Sequence, residues 1–348
     1  LALDLSTDAR HWSRLTAAER DVLLRLTALF HAGEEGMTRD AAPLVVAVAR
    51  EGQVEEQLFL GTLITDEAKH TRFFRRVLDD VCRAPADLSR YRTPAFRALF
   101  DEDLPRLMGR LRSDPSPGAL AEAVVAYSVV SEGVLSETGH HLYAAAMRHR
   151  GLMPGLLDGL ARVRRDEARH MTFGVYLLCR LVTHDSGVWA VIERCMNDLL
   201  AHSLAIVSEF FEAYEVVPFG LTLQDTVTYA MSRFARRANR IERAREGGPA
   251  MVDAGGDPTA ELVEWVAERV EPLPVMRREG DVGALTLEVR HGERAAALMI
   301  APEVLDHFLA EEIVGALDEC AVPARLGEPG VRLVCIEGSG RILVRTAA

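Results

Sequence analysis

Between residues 16 and 243 apolar side chains return every three or four positions, for example Leu23, Leu26 and Phe30, then Val45 and Val48. That is the period of helices that each bury one face. The pattern predicts helices over about 17–49, 52–82, 93–112, 117–149, 154–183, 186–214 and 222–245. Breaks fall at Gly52, Pro85, the segment Ser113-Asp114-Pro115-Ser116-Pro117, Gly151 with Pro154, and Asp185-Ser186-Gly187, all residues that end helices or start turns. Pro43 lies inside the first stretch and is expected to kink it. Past residue 246 the character changes. Gly247-Gly248-Pro249 and Gly255-Gly256-Asp257-Pro258 mark a linker over 247–258. A short helix (259–271), a hairpin of 285–289 with 295–300 around Gly292, a helix (302–319) and strands at 331–336 and 342–344 around the Gly-Ser-Gly turn 338–340 are expected to follow. The predicted architecture is mainly α: a helical bundle over 1–246 with an added small α+β domain over 259–348.

With 348 residues, 49% hydrophobic and 26% charged, the chain has the composition of a soluble protein able to bury a sizeable core. The formal charge of −12 disfavours nucleic acid and anionic membrane as partners. That charge is uneven: 31 basic face 34 acidic residues in 1–249, against 9 and 18 in 250–348. Five cysteines (82, 179, 195, 320, 335) form no Cys-x-x-Cys, which fits small buried side chains in a reducing cytosol. The composition shows no apolar run approaching the roughly 18 residues of a membrane span, and no charged-then-apolar leader opens the chain at Leu1. A cytoplasmic protein is expected.

The chemistry sits in a doubled spacing. Glu34 is followed by Glu67-Ala-Lys-His70, and Glu132 by Glu167-Ala-Arg-His170. Each half is a lone Glu and then a Glu-x-x-His, the ligand arrangement of ferritin-like di-iron and di-manganese bundles. Positions i and i+3 share a helix face about 4.5 Å apart along the axis, so each Glu-x-x-His can present both side chains to one place. Glu34 has a rival in Glu35. The face of position 34 carries Leu23, Leu26, Phe30, Met37, Ala41 and Val45, whereas that of position 35 carries Ala28, His31, Ala32, Thr38 and Arg39; Glu34 therefore points to the core. By the same test Glu132 turns inward with Val125, Val129 and Leu135, and Glu137 does not.

Four carboxylates left unpaired in a bundle core would each cost several kcal/mol or take up protons. Two divalent cations neutralise them, and oxygen-rich ligation with imidazole suits iron or manganese. Six side chains serving two ions leave positions open for dioxygen, water or an exogenous carboxylate. Asp66 and Asp166 directly precede the two Glu-x-x-His glutamates. Each is expected to accept a ligand histidine's free N–H, Asp166 from His70 and Asp66 from His170. Phe30, Phe59, Leu63, Val130, Phe173 and Leu177 fall within a turn or two of the ligands and are candidates to line an apolar ligand cavity.

At Ala32-Gly33-Glu34-Glu35, Glu67-Ala68-Lys69-His70, Glu132-Gly133 and Asp166-Glu167-x-x-His170 the chain resembles the ribonucleotide reductase small-subunit superfamily, and within it the ligand-binding oxidase branch. The resemblance covers about 10–245. It implies a homodimeric bundle holding a manganese/iron or di-iron centre that activates dioxygen for two-electron oxidation beside a long-chain fatty acid. Site one would be Glu34, Glu67 and His70, and site two Glu132, Glu167 and His170. Phe74 stands where tyrosyl-radical members carry Tyr, and the last tyrosine is Tyr229, so no tyrosine follows in a C-terminal tail. Both features weigh against a working reductase subunit, the first rival; a ferritin-like iron-binding protein is the second.

The chain also departs from the oxidase pattern. That branch forms a valine–tyrosine ether link. Tyr127 matches the tyrosine, but Met37 takes the valine position, so no such link is expected, and any self-oxidation should fall on Met37 alone. His140, eight residues after Glu132, stands where the branch has a tyrosine; it is a candidate to back the ligands or simply to fill the core. Arylamine N-oxygenases of this broad fold need a histidine where this chain has Val163.

Overall fold

The structure, a computed structural model, describes residues 3–147, 150–245, 266, 275–279, 285–291, 294–300, 322, 331–336 and 342–346. The chain divides into two compact units, Leu1–Met251 and Val252–Ala348. The first is a ferritin-like helical bundle. Its opening helix α1 (Ser6–Arg14) carries few apolar residues, and the periodicity did not reveal it. In α2 (Ala17–Asp40) the Thr16 hydroxyl accepts from Glu19 N while Glu19 Oε2 accepts from Thr16 N. This reciprocal cap satisfies two amides that have no partner inside the helix.

The expected kink near Pro43 falls at Ala41, whose own backbone stays helical (φ −69°, ψ −27°). α2 stops at Asp40 and α3 (Ala42–Arg50) begins with Pro43 in its first turn, where a missing N–H costs nothing. Helix α4 (Val54–Arg76) runs on as a π-wound turn, Val77–Cys82, and ends at Arg83 in the left-handed region (φ 48°). The 93–112 stretch forms α5 (Pro94–Arg97), a π-wound turn (Ala98–Asp103) and α6 (Leu104–Arg110).

The next rod matters most for the site. α7 (Pro117–Val124) passes into a π-wound segment, Val125–Ser136, and emerges as α8 (Glu137–Met147). Wide i→i+5 winding of this length is rare and concentrates at functional sites. Every residue from Val125 to Val134 is buried. By length and mean hydropathy (1.4) Pro117–Met147 has the composition of a membrane span, contrary to the expectation above, but 83% of its apolar window is buried inside the bundle. It is the central rod of the core. α9 (Pro154–His184), α10 (Trp189–Glu212) and α11 (Leu223–Arg245) complete the unit.

In the second unit the strands β1 (Val275–Glu279), β2 (Leu285–His291), β3 (Arg294–Ile300), β4 (Val331–Ile336) and β5 (Ile342–Thr346) form one sheet in that order. All neighbours are antiparallel except β3–β4, which is parallel. The predicted hairpin is present, with Leu287 opposite Leu298 and Val289 opposite Ala296; β1 was not foreseen. The helices expected at 259–271 and 302–319 and the turn at 338–340 lie outside the described residues, Val266 apart.

Candidate metal centre

Four rods bring the predicted residues to one place. α2 supplies Glu34, α4 supplies Glu67 and His70, the π-wound segment supplies Glu132, and α9 supplies Glu167 and His170. All six are buried, none more than 5% exposed. Glu35, on the neighbouring face of α2, is exposed.

Donor atoms gather in two overlapping groups, Glu34–Glu67–His70 and Glu67–Glu132–His170, each within 4.8 Å. His70 Nδ1 lies 3.5 Å from Glu34 Oε2 and 3.9 Å from Glu67 Oε1. His170 Nδ1 lies 3.2 Å from Glu67 Oε1, though its hydrogen bond goes to Glu132 Oε1 at 2.9 Å. Glu67 thus belongs to both groups. Glu167 belongs to neither, unlike its expected place beside Glu132 and His170. Its Oε1 accepts from the Ser136 hydroxyl at 2.6 Å, and its Oε2 faces His140 Nδ1 at 3.3 Å. Burial first, and then the charges of Glu34 and Glu132, raise its pKa well above the usual carboxylate range. Nothing local in the sequence marks Ser136 as that anchor.

The carboxylates behind the two histidines come from the opposite helix in each case. His70 Nε2 is within hydrogen-bond distance of Asp166 Oδ2 on α9 at 3.4 Å, as expected, but His170 Nε2 lies 3.6 Å from Asp66 Oδ2 on α4 and has no hydrogen-bond partner. Arg169 donates to both aspartates, at 2.8 Å to Asp166 and 3.2 Å to Asp66, and Lys69 donates to Asp66 at 2.7 Å. The His170 ring does most to lower the Asp66 pKa, with Lys69 adding to it, and Asp166 is lowered against its burial by His70 first and Arg169 last; both rings turn Nδ1 toward the glutamates.

Several buried polar atoms here lack a hydrogen-bond partner: both oxygens of Glu67, Glu132 Oε2, Glu167 Oε2, His70 Nδ1 and the Tyr127 hydroxyl. Such atoms are costly unless something else satisfies them. A hard divalent cation pair accepts carboxylate and imidazole donors of this kind, so the donor set fits two metal ions. Burial raises Glu34 to about 8, helped by the charge of Glu67, and raises Glu132 to about 7. Glu67 is held down, against its burial, by His170 and His70. Burial opposes charge on His70 too, but Asp166, Glu34 and Glu67 together carry its pKa well above 6.5; Glu132, Asp66 and Glu67 do the same for His170.

These shifts set a pH dependence. Glu34 and Glu132 keep protons in the folded state that the unfolded chain loses near 4.5, so stability falls as pH rises between that value and about 8. The two histidines act in the same direction, since their stabilising charge is present below 6.5 and lost above it. The lowered Asp66, Glu67 and Asp166 contribute fully across this window. Chelator-treated protein should therefore melt at lower temperature at pH 8 than at pH 5.5, by roughly 2–4 °C for each kcal/mol lost. Metal-loaded protein should show the reverse, because cations displace those protons. Calorimetry of both forms checks this; a chelated melting temperature that rises with pH would refute the protonation pattern.

Tyr127 is fully buried, and burial with the charges of Glu67, Glu132, Glu34 and Glu167 keeps its phenol protonated. Met37 and Phe30 line a cavity of about 100 Å³, open to solvent on one side, whose polar wall includes Glu34, Ser131, Ser136 and Glu167. Its other walls come from Leu26 on α2, from Phe96 and Phe100, and from Ile206 and Phe210 on α10. Of the six lining candidates only Phe30 borders it. Leu63, Val130 and Leu177 are core, and Phe59 and Phe173 stack on each other at 4.4 Å. Helical spacing finds inward faces but not which of them meets a void. Phe74 is buried and stacked on Phe30 at 4.8 Å. Glu137, expected to face away, is buried too. It is paired with Arg237 at 2.8 Å, outside the cluster.

Residues 2–243 match the family model described as ribonucleotide reductase, small chain. Among solved structures the chain is similar to an R2-like ligand-binding oxidase with aerobically reconstituted Mn/Fe cofactor (long soak). The identity is 33% and the TM-score 0.67, over 70% of this chain and 87% of that one. A valine-to-isoleucine variant of R2-like ligand-binding oxidase with anaerobically reconstituted Mn/Fe cofactor matches at 34% identity and a TM-score of 0.66, over the same shares.

Proposed function

This chain belongs to the ribonucleotide reductase small-chain family, in its R2-like ligand-binding oxidase branch, and from that premise we propose that it is a dioxygen-activating dinuclear oxidase. It would carry Mn/Fe or Fe/Fe and perform a two-electron oxidation beside an apolar small molecule. The observation that carries this reading is the pair of buried Glu–Glu–His groups sharing Glu67. The cation pair, when bound, supplies electrons to dioxygen.

The protein's own residues hold and shield that pair. Glu34, Glu67 and His70 would bind one ion, and Glu67, Glu132 and His170 the other, which Glu167 would also reach. Asp166 would fix the His70 ring through its hydrogen bond, and Asp66 stands behind the His170 ring at 3.6 Å. The aromatic and aliphatic packing around them excludes water, which strengthens every charge interaction inside. The cavity beside Glu34 and Glu167 is mostly apolar, as small-molecule sites are. A fatty-acid-like carboxylate suits that lining: its chain would lie against Leu26, Phe30 and Phe210, and its head would balance cation charge. Phe74 offers no phenol for a radical, which favours the oxidase over a reductase subunit. A homodimer in the cytoplasm belongs to the same reading.

Chelated protein reloaded with Mn(II) and Fe(II) should hold two ions per chain and take up dioxygen faster than the same free ions. Peptide mass spectrometry of the product should show Tyr127 unlinked and Met37 either native or oxygenated on sulfur. A Met37–Tyr127 pair lacking two hydrogens would contradict the second expectation. Iron stored far beyond two per chain would support a ferritin-like role instead, and nucleotide reduction with a large subunit would support a reductase role.

A further inference from the structure

We infer that His140 is a seventh protein ligand of the dinuclear centre, binding through Nδ1 the ion that Glu167 reaches. This rests on the metal-centre reading and adds to its donor set. His140 lies on α8, is 3% exposed, and neither ring nitrogen has a hydrogen-bond partner. Its Nδ1 is 3.3 Å from Glu167 Oε2, which also lacks a partner because Ser136 engages the other oxygen. The two atoms are close yet form no hydrogen bond.

His70 shows the same signature. Its Nδ1 is 3.5 Å from Glu34 Oε2, and it too has no hydrogen-bond partner. Nitrogen and oxygen bound side by side to one ion, each about 2.1 Å from it, stand about 3 Å apart with their lone pairs aimed at the ion rather than at each other. The His140–Glu167 separation matches that arrangement. The ring is also held in place. Phe30 stacks on it at 4.9 Å and 22°. That approach needs Gly139, where an added Cβ would sit 2.5 Å from Phe30 Cε2.

The alternative is a positioning role, with His140 touching Glu167 alone and no ion. Proton NMR of the full chain loaded with Co(II) separates the two. Each cobalt-bound imidazole contributes one strongly downfield-shifted exchangeable N–H, and burial slows its exchange. Wild-type protein should show three such signals, and His140→Phe two, with the affinity for one of the two cobalt ions weakened about 10-fold or more. Two signals in wild type with two ions bound would overturn this inference and leave the dinuclear reading standing. Failure to retain cobalt would overturn both. If His140→Phe does not fold, the wild-type count still decides.

Discussion

Replacing Glu67 with alanine should cost the protein both ions at once. Glu67 is the carboxylate common to the two donor groups, is fully buried, and accepts no hydrogen bond. Its loss removes a ligand from each ion, so both apparent dissociation constants should rise by more than about 100-fold, beyond the 10–100-fold typical of outer-shell partners. Oxygen uptake should fall to the free-ion background. Metal-induced stabilisation, about 2.7 kcal/mol at a concentration 100 times the dissociation constant, should vanish at that concentration. Glu34→Ala gives the contrast, since Glu34 belongs to one group only, and one ion should remain. Elemental analysis with thermal melts in the presence and absence of metal checks both variants. A Glu67→Ala protein that keeps two ions would show that Glu67 is not the shared ligand.

The second large effect is expected at a residue that ligates nothing. Gly174 on α9 meets Ser128 of the π-wound segment so closely that an added Cβ would lie 2.2 Å from Ser128 Cβ. No rotamer change moves a Cβ, so Gly174→Ala must push two backbones apart. Helix propensity alone would favour alanine by about 1 kcal/mol. Overpacking of a buried contact costs about 1–3 kcal/mol and sometimes more, and the absence of any flexible atom places this case at the upper end. A net loss of about 2 kcal/mol, or a melting temperature lower by about 4–8 °C, is the expected outcome. Because these rods carry Glu132, Glu167 and His170, metal affinity should fall with it. Ser128→Gly on the Gly174→Ala background should restore both. Calorimetry on the single and double variants tests this, and a stabilised single variant would contradict the close approach.

What the sequence discloses follows the range of the interaction. Glu67 with His70, and Glu167 with His170, share faces through bonds within one helix, so their spacing is readable. The choice of Glu34 over Glu35 is also local, and the exposures of the two side chains agree with it. For Glu132 the face test had little power, because every residue from Val125 to Val134 is buried and the winding there is not that of an α-helix. Contacts between helices leave no periodic trace. Ser136 on Glu167, Arg169 between two aspartates, and Arg237 on Glu137 join residues on different rods or across the π-wound segment. The cavity shows the same limit: Ile206 and Phe210 border it and read along the chain like ordinary core.

The wide-wound turns between Val124 and Glu137 act as slack in an otherwise taut rod. In an ordinary helix one added or deleted residue rotates everything downstream by about 100°, enough to swing His140 out of reach of Glu167. A stretch that can trade looser winding for tighter winding takes up such a change locally. One residue more or fewer at the heart of the bundle can therefore be absorbed while both ends stay in register.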